Sequence, residues 1–127
     1  MKLKIEGVDE LNRAIKRLGD TYRSEFKMAL YDAGEIVRKD ALERIPKRTG
    51  DAAKTIEMKV GEMRDGTMYA IITAGGGEQY YVTFLEFGTS KMQARPFLRP
   101  AIKENRTEIK RIIRGRIQAV IERAGIT

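Results

Sequence analysis

The sequence predicts an α+β fold, a small antiparallel sheet packed against a long N-terminal helix and a C-terminal amphipathic helix. Three observations lead there. Apolar residues recur at helical spacing from Glu10 to Ile45 and again after Ala101, two alternating runs between them flank an Asp-Gly pair, and 127 residues suffice for one core but not two. The order helix, helix, hairpin, strand, helix then covers one face of the sheet with helices, in a single domain spanning residues 1–127.

Lys2 to Glu6 alternates and reads as a short strand, with Leu3 and Ile5 on one face and Gly7 ending it. Asp9 is the expected N-cap of the next element. Leu11, Ile15, Leu18, Tyr22, Phe26, Ala29, Ala33, Ile36, Val37, Ala41 and Ile45 follow in steps of one, three or four. Gly19-Asp20 interrupts this run as a C-cap followed by a new N-cap, so a short helix precedes a long one over about 21–45. Pro46 ends the long helix, because the residue before a proline is pushed out of the helical region. Thr55 to Val60 and Met68 to Ala74 are the hairpin strands, joined through Asp65-Gly66. Tyr80 to Phe87 is too short for periodicity to choose between a third strand and a short helix. Ala101 to Ala124 is a final helix, with Ile102, Ile109, Ile113, Ile117, Val120 and Ile121 on one side and Lys103, Arg106, Lys110, Arg111 and Arg114 on the other.

The chain has no Cys and no His, which removes thiolate metal sites, disulfides and the commonest general base. No run approaches the roughly 18 apolar residues of a membrane span. The opening Met1-Lys2-Leu3-Lys4 lacks the apolar core of a signal peptide, so the cytoplasm is the expected place of synthesis and no membrane partner is expected. Residues 1–90 carry 15 basic and 15 acidic side chains, and residues 91–127 carry ten and three, so the net charge of +7 lies in the C-terminal segment. That charge is either a solvated helix face or a contact with acidic protein or nucleic acid.

Several patterns have plain structural readings. Gly75-Gly76-Gly77 lacks the Lys-Ser/Thr of a phosphate loop and reads as a connector. The carboxylate pairs Asp40/Glu43 and Glu104/Glu108 stand beside Lys or Arg at helical spacing and read as surface ion pairs. Tyr80, Tyr81, Phe84 and Phe87 read as core. The stretch from Glu86 to Ala101 is less plain. Gly88 permits a positive φ, Pro96 and Pro100 stiffen the entry to the last helix, and Phe97 and Leu98 look like buried anchors flanked by Arg95 and Arg99.

The run FLEFGTSKMQARPFLRPAI resembles the signature of the tail-completion, or head–tail joining, proteins of long-tailed phages, the HK-ninety-seven-like gene-product-ten family. Ile45-Pro46-Lys47-Arg48-Thr49-Gly50 is similar to that family's Pro–x–x–Thr–Gly turn, and IEGVDELNRAIKRL to its usual opening. Ala52, in place of a usual Leu, and Met92-Gln93, in place of a more proline-rich stretch, depart from the pattern.

The resemblance implies a tail-completion domain that joins the head-closure ring to the tail tube or its terminator in the virion neck. It implies assembly into a ring there, of six subunits, and neither catalysis nor a cofactor or metal. Candidate partner or subunit contacts are Arg48, Thr49, Gly50, Glu86, Gly88, Thr89, Arg95 and Arg99, and candidate structural anchors are Phe87, Pro96, Phe97, Leu98 and Pro100. The free chain is expected to be mainly monomeric, with the loops Pro46–Asp51 and Gly75–Gln79 ordering against partners. Alternative readings are another neck protein, a tail terminator or head-closure protein, and a small basic nucleic-acid-binding module.

Overall fold

The computed structural model describes residues 2–5, 9–46, 53–75 and 81–124. Its elements are β1 (Lys2–Lys4), α1 (Asp9–Leu18), a 3-10 turn (Asp20–Tyr22), α2 (Arg23–Arg44), β2 (Glu57–Glu62), β3 (Met68–Thr73), α3 (Tyr81–Phe87), α4 (Leu98–Glu104) and α5 (Arg106–Ala124). The α+β expectation holds, with the sheet in the order β1-β3-β2 and every pairing antiparallel. The third strand is therefore the N-terminal one, and Tyr81–Phe87 resolves as helix.

Helix α1 has Asp9 and Glu10 in its first turn and Lys16 and Arg17 in its last, the arrangement that the helix dipole favours. Asp9, expected as the cap, is already its first residue. Gly19 closes the helix at φ +78°, and its N–H donates to the Ile15 carbonyl at 2.9 Å. Helix α2 has 22 residues, about 33 Å at helical rise. It buries Phe26, Ala29, Leu30, Ala33, Gly34, Val37 and Ala41. The small members of that stripe allow close approach. A Cβ at Gly34 would lie 2.6 Å from the Met58 sulfur, so β2 lays Met58 directly on the helix backbone. Ile45 leaves α2 at ψ 136°, as the proline after it demands.

Met68, Ala70 and Ile72 of β3 are buried against the helices, while Tyr69, Ile71 and Thr73 turn the other way. The register sets Met58 opposite Ile72 and Val60 opposite Ala70, so the two strands present one apolar face. The hairpin turn places Gly66 at φ +90°, with the Thr67 N–H donating to the Asp65 carboxylate at 2.9 Å. Arg23, the first residue of α2, donates to the Gly66 carbonyl and to Glu62. Asn12 of α1 works like a strand neighbour for the start of β3. Its Oδ1 accepts the Met68 N–H at 2.9 Å and its Nδ2 donates to the Met68 carbonyl at 3.1 Å.

The last helix differs from its expected form. It begins earlier, at Leu98, and breaks at Asn105 into α4 and α5. The cause is the Asn105 amide, which donates to the Ala101 carbonyl and to the Asp40 carboxylate, each at 2.7 Å. An Asn side chain that takes up its own helix's carbonyl competes with the backbone ladder. Asp40 is thus more than a surface partner of Arg44, since it ties α2 to the junction of α4 and α5.

Part of the positive charge of the C-terminal segment is met within the chain. Arg114 pairs with Glu10 of α1 at 3.0 Å, Arg116 with Asp32 of α2 at 3.6 Å, and Arg123 with Glu25 of α2. Exposed pairs of this kind contribute up to about 1 kcal/mol each, so they orient α5 more than they hold it. Burial of Ile109, Ile113 and Val120 holds it.

Asn12→Ala removes two inter-element hydrogen bonds and should lower stability by about 1–3 kcal/mol. Urea unfolding monitored by circular dichroism would show this as a lower midpoint with an unchanged slope. No change would mean that the α1–β3 junction is held by packing alone.

Candidate functional site

The stretch singled out by the sequence forms a corner between α3 and α4. Gly88 ends α3 at φ +75°, its N–H donating to the Phe84 carbonyl at 2.7 Å. A Cβ there would stand 2.8 Å from the Ala94 nitrogen and 2.9 Å from the Met92 carbonyl oxygen, so sterics and backbone conformation both require glycine. Thr89 and Met92 pair across a tight turn, and the Thr89 hydroxyl accepts the Lys91 N–H at 3.2 Å. The Arg95 N–H returns to the Leu85 carbonyl at 2.7 Å, which folds the loop back on α3.

Glu86 is fully buried at the centre of this corner. One carboxylate oxygen accepts the N–H of Phe97 at 2.7 Å and of Leu98 at 3.0 Å, and the other accepts the N–H of Arg99 at 2.8 Å. A helix begins with four backbone N–H groups that have no partner within it. In α4 three of those go to Glu86, and the fourth position is Pro100, which has no N–H. The cap therefore comes from a residue more than ten positions upstream rather than from the residue before the helix. Arg99 completes it: Nε reaches the same carboxylate at 3.1 Å, Nη2 reaches the Glu86 carbonyl at 2.8 Å, and the guanidinium carbon lies 4.4 Å from the Phe87 ring centre.

Burial by itself pushes the Glu86 carboxyl up. The N–H donors of Leu98, Arg99 and Phe97, with the Arg99 guanidinium, outweigh it and hold the group below the usual glutamate range. The carboxylate is accordingly charged at neutral pH and fully coordinated.

Two adjacent residues of the corner, Glu86 and Phe87, lie on the opposite sides from those expected. Glu86, expected at a partner interface, points inward, and Phe87, expected as an anchor, is 52% exposed. Adjacent helical residues differ in direction by roughly 100°, so turning Glu86 under α4 turns Phe87 out. Phe84 is exposed as well, contrary to its reading as core. Phe97 and Leu98 are fully buried, and Pro96 is exposed. Thr89 and Arg95 are exposed, and Arg99 keeps half of its side chain in solvent. The outward surface thus comprises Phe84, Phe87, Met92, Arg95 and the edge of Arg99. Arg48, Thr49 and Gly50 lie outside the described residues, as do most of the two loops expected to order against partners.

The family model described as "Bacteriophage HK97-gp10, putative tail-component" matches residues 9–88, α1 through the glycine that closes α3. The chain belongs to this phage tail-component family. Neither the curated proteins nor the solved structures gave a match. As a tail component the chain is a virion protein, and its surfaces are to be read as sites for contact with other virion proteins. Among the described residues no group of His, Cys, Asp and Glu is placed to hold a metal ion, and no helix is long and apolar enough to cross a membrane.

Met92 and Phe84 escaped the sequence reading as surface residues of this tail component. The signal for Phe84 was its place three residues before Phe87, which puts both on one face of a helix, but only once that segment is known to be a helix.

Glu86→Gln keeps the shape but loses the charge and turns an amide N–H₂ toward donors, so it should cost about 1.5–3 kcal/mol at neutral pH. A carboxylate whose folded pKa is depressed stabilises fully above its unfolded value, roughly pH 4.3 for glutamate, and loses this as pH falls through the folded value. The stability gap between wild type and Glu86→Gln should accordingly be constant from pH 7 to about 5 and shrink below that. Urea titrations across this range would check it, and a gap independent of pH would show that the charge contributes nothing. Gly88→Ala should cost at least about 1–2 kcal/mol from the left-handed backbone alone, with more from the contacts to Met92 and Ala94. A thermal midpoint equal to wild type would refute the corner geometry.

Proposed function

We propose that this tail component works in the virion neck as a tail-completion subunit. It joins the head-closure ring to the tail tube or its terminator, assembles there into a ring of six, and acts by structure alone, without catalysis. It is made in the host cytoplasm before assembly. The observation that carries this reading is the corner itself. An outward surface of Phe87, Met92, Arg95 and half of Arg99 sits on a turn whose backbone is pinned from within by Glu86. A surface already held in one shape loses little conformational entropy on docking, which suits a joint that must form once and hold. Aromatic and arginine side chains together are also the residue types that dominate protein contacts.

The nucleic-acid-binding reading has less support. Three α5 arginines are turned toward carboxylates of α1 and α2, and the remaining basic residues form no recognised reading motif.

The test is complementation of a phage lacking this gene with Arg95→Glu and with Phe87→Ser, both at exposed positions. Both variants should remain folded, Phe87→Ser giving up about 0.5–1 kcal/mol with its contact to the Arg99 guanidinium, yet each should lower the yield of joined particles roughly tenfold, the effect of losing about 1.4 kcal/mol of docking free energy. Electron microscopy should then show DNA-filled heads beside separate tails. Wild-type yield from both variants would place the joint elsewhere, and tails of uncontrolled length would point to a terminator role instead.

A further inference from the structure

A second surface lies away from the corner, where α1 crosses α5. The two helices leave a groove of about 620 Å³ between them. Its floor is Ala14 and Leu18 of α1 with Ile117 and Ile121 of α5, each half-buried. Both pairs are four residues apart, so each forms a short apolar row along its helix. The rims are Arg13 and Arg17 on one side and Arg114 and Gln118 on the other. Glu10 stands in the rim and holds Arg114 at 3.0 Å. Arg13 and Arg17 are exposed, and among the described residues no ion pair neutralises either.

We propose that this groove receives an amphipathic helix with acidic flanks, carried by a partner protein. Two apolar rows with a trough between them suit the apolar stripe of a third helix, whose knobs at spacings of three and four would enter the trough. The two uncompensated arginines on one rim set the charge of what lies beside them, because a cationic flank there would meet like charge and an acidic one would meet its complement.

A nucleic acid fits less well, since its phosphates would face Glu10 and would leave the leucine and isoleucine floor without an apolar partner. A second copy of this chain also fits less well. The outer faces of α1 and α5 are basic or mixed, and that of α2 alternates Lys27, Asp32, Lys39 and Glu43, so no described helix offers a predominantly acidic face.

The inference rests on this groove and not on head–tail joining, and a binding assay on the isolated full chain separates the two. Helical peptides of about 20 residues, long enough to hold a helix, are displayed with a fixed apolar stripe and randomised flanks, then selected on the protein. Asp and Glu should be enriched in the flanks. The best peptide, labelled for fluorescence anisotropy, should bind at least tenfold more weakly to the double variant Arg13→Glu, Arg17→Glu and to Leu18→Lys. Should Leu18→Lys fail to fold, the arginine variant decides alone, since both its positions are exposed. Flanks without acidic bias, or binding indifferent to the arginines, would overturn the proposal. So would light scattering that shows wild-type oligomers dispersed by the arginine variant, or a DNA duplex that binds through Arg13 and Arg17 where no peptide does.

Discussion

The carboxylate of Glu86 has no solvent to fall back on, and three backbone N–H groups and a guanidinium take its place. Much of the C-terminal half depends on that exchange. Helix α4 has seven residues, too few to be stable by propensity, and its first turn contains a proline. It forms because an anion waits where its N-terminal dipole points and because Leu98 and Ala101 are buried beneath it. Once α4 is placed, Phe97 enters the core and Asn105 reaches Asp40, and the direction of α5 follows. Without the carboxylate, three donors would be buried unpaired, a cost comparable to a large share of a small domain's total stability.

Helix α2 supplies the complementary constraint. It touches the sheet through Gly34 and Met58, and its Asp40 carboxylate receives Asn105 at the start of α5. Its stripe of Ala and Gly would bury little area on its own, but it lets larger side chains from β2, β3, α4 and α5 reach the axis. The ion pairs from α5 to Glu10, Glu25 and Asp32 then answer part of the uneven charge of the sequence. The basic end is basic in part because α1 and α2 hold the acids that answer it.

What could be read in the sequence was what depends on local pattern. The span of α2, the stop at Pro46, the hairpin around Gly66 and the burial of Phe97 and Leu98 all follow from periodicity, glycine or proline chemistry. Where side chains form bonds across distance, the pattern misled. Glu86 reads as a surface acid because nothing nearby in sequence explains its burial; its partners begin eleven residues later. Asn105 sits in an apolar periodic run and reads as helix interior, and only the presence of Asp40 from 65 positions away shows why the helix breaks there. Residues 81–87 are compatible with either strand or helix, and that ambiguity carried Phe84 and Phe87 to the wrong side.

The inversion at Glu86 and Phe87 bears on how such a surface can change without loss of fold. The residues that hold the corner, Glu86, Gly88, Phe97 and Leu98, face inward or have no side chain to vary. Those that face outward, Phe87, Met92 and Arg95, hang on a backbone whose hydrogen bonds run through Glu86, the Thr89 hydroxyl and main-chain groups rather than through their own side chains. Arg99 belongs to both sets, since its guanidinium bonds to Glu86 while half of the side chain remains in solvent. Substitutions in the outer set therefore alter recognition with small effects on stability, whereas a change at Arg99 registers in both and cannot by itself distinguish a lost contact from a loosened corner.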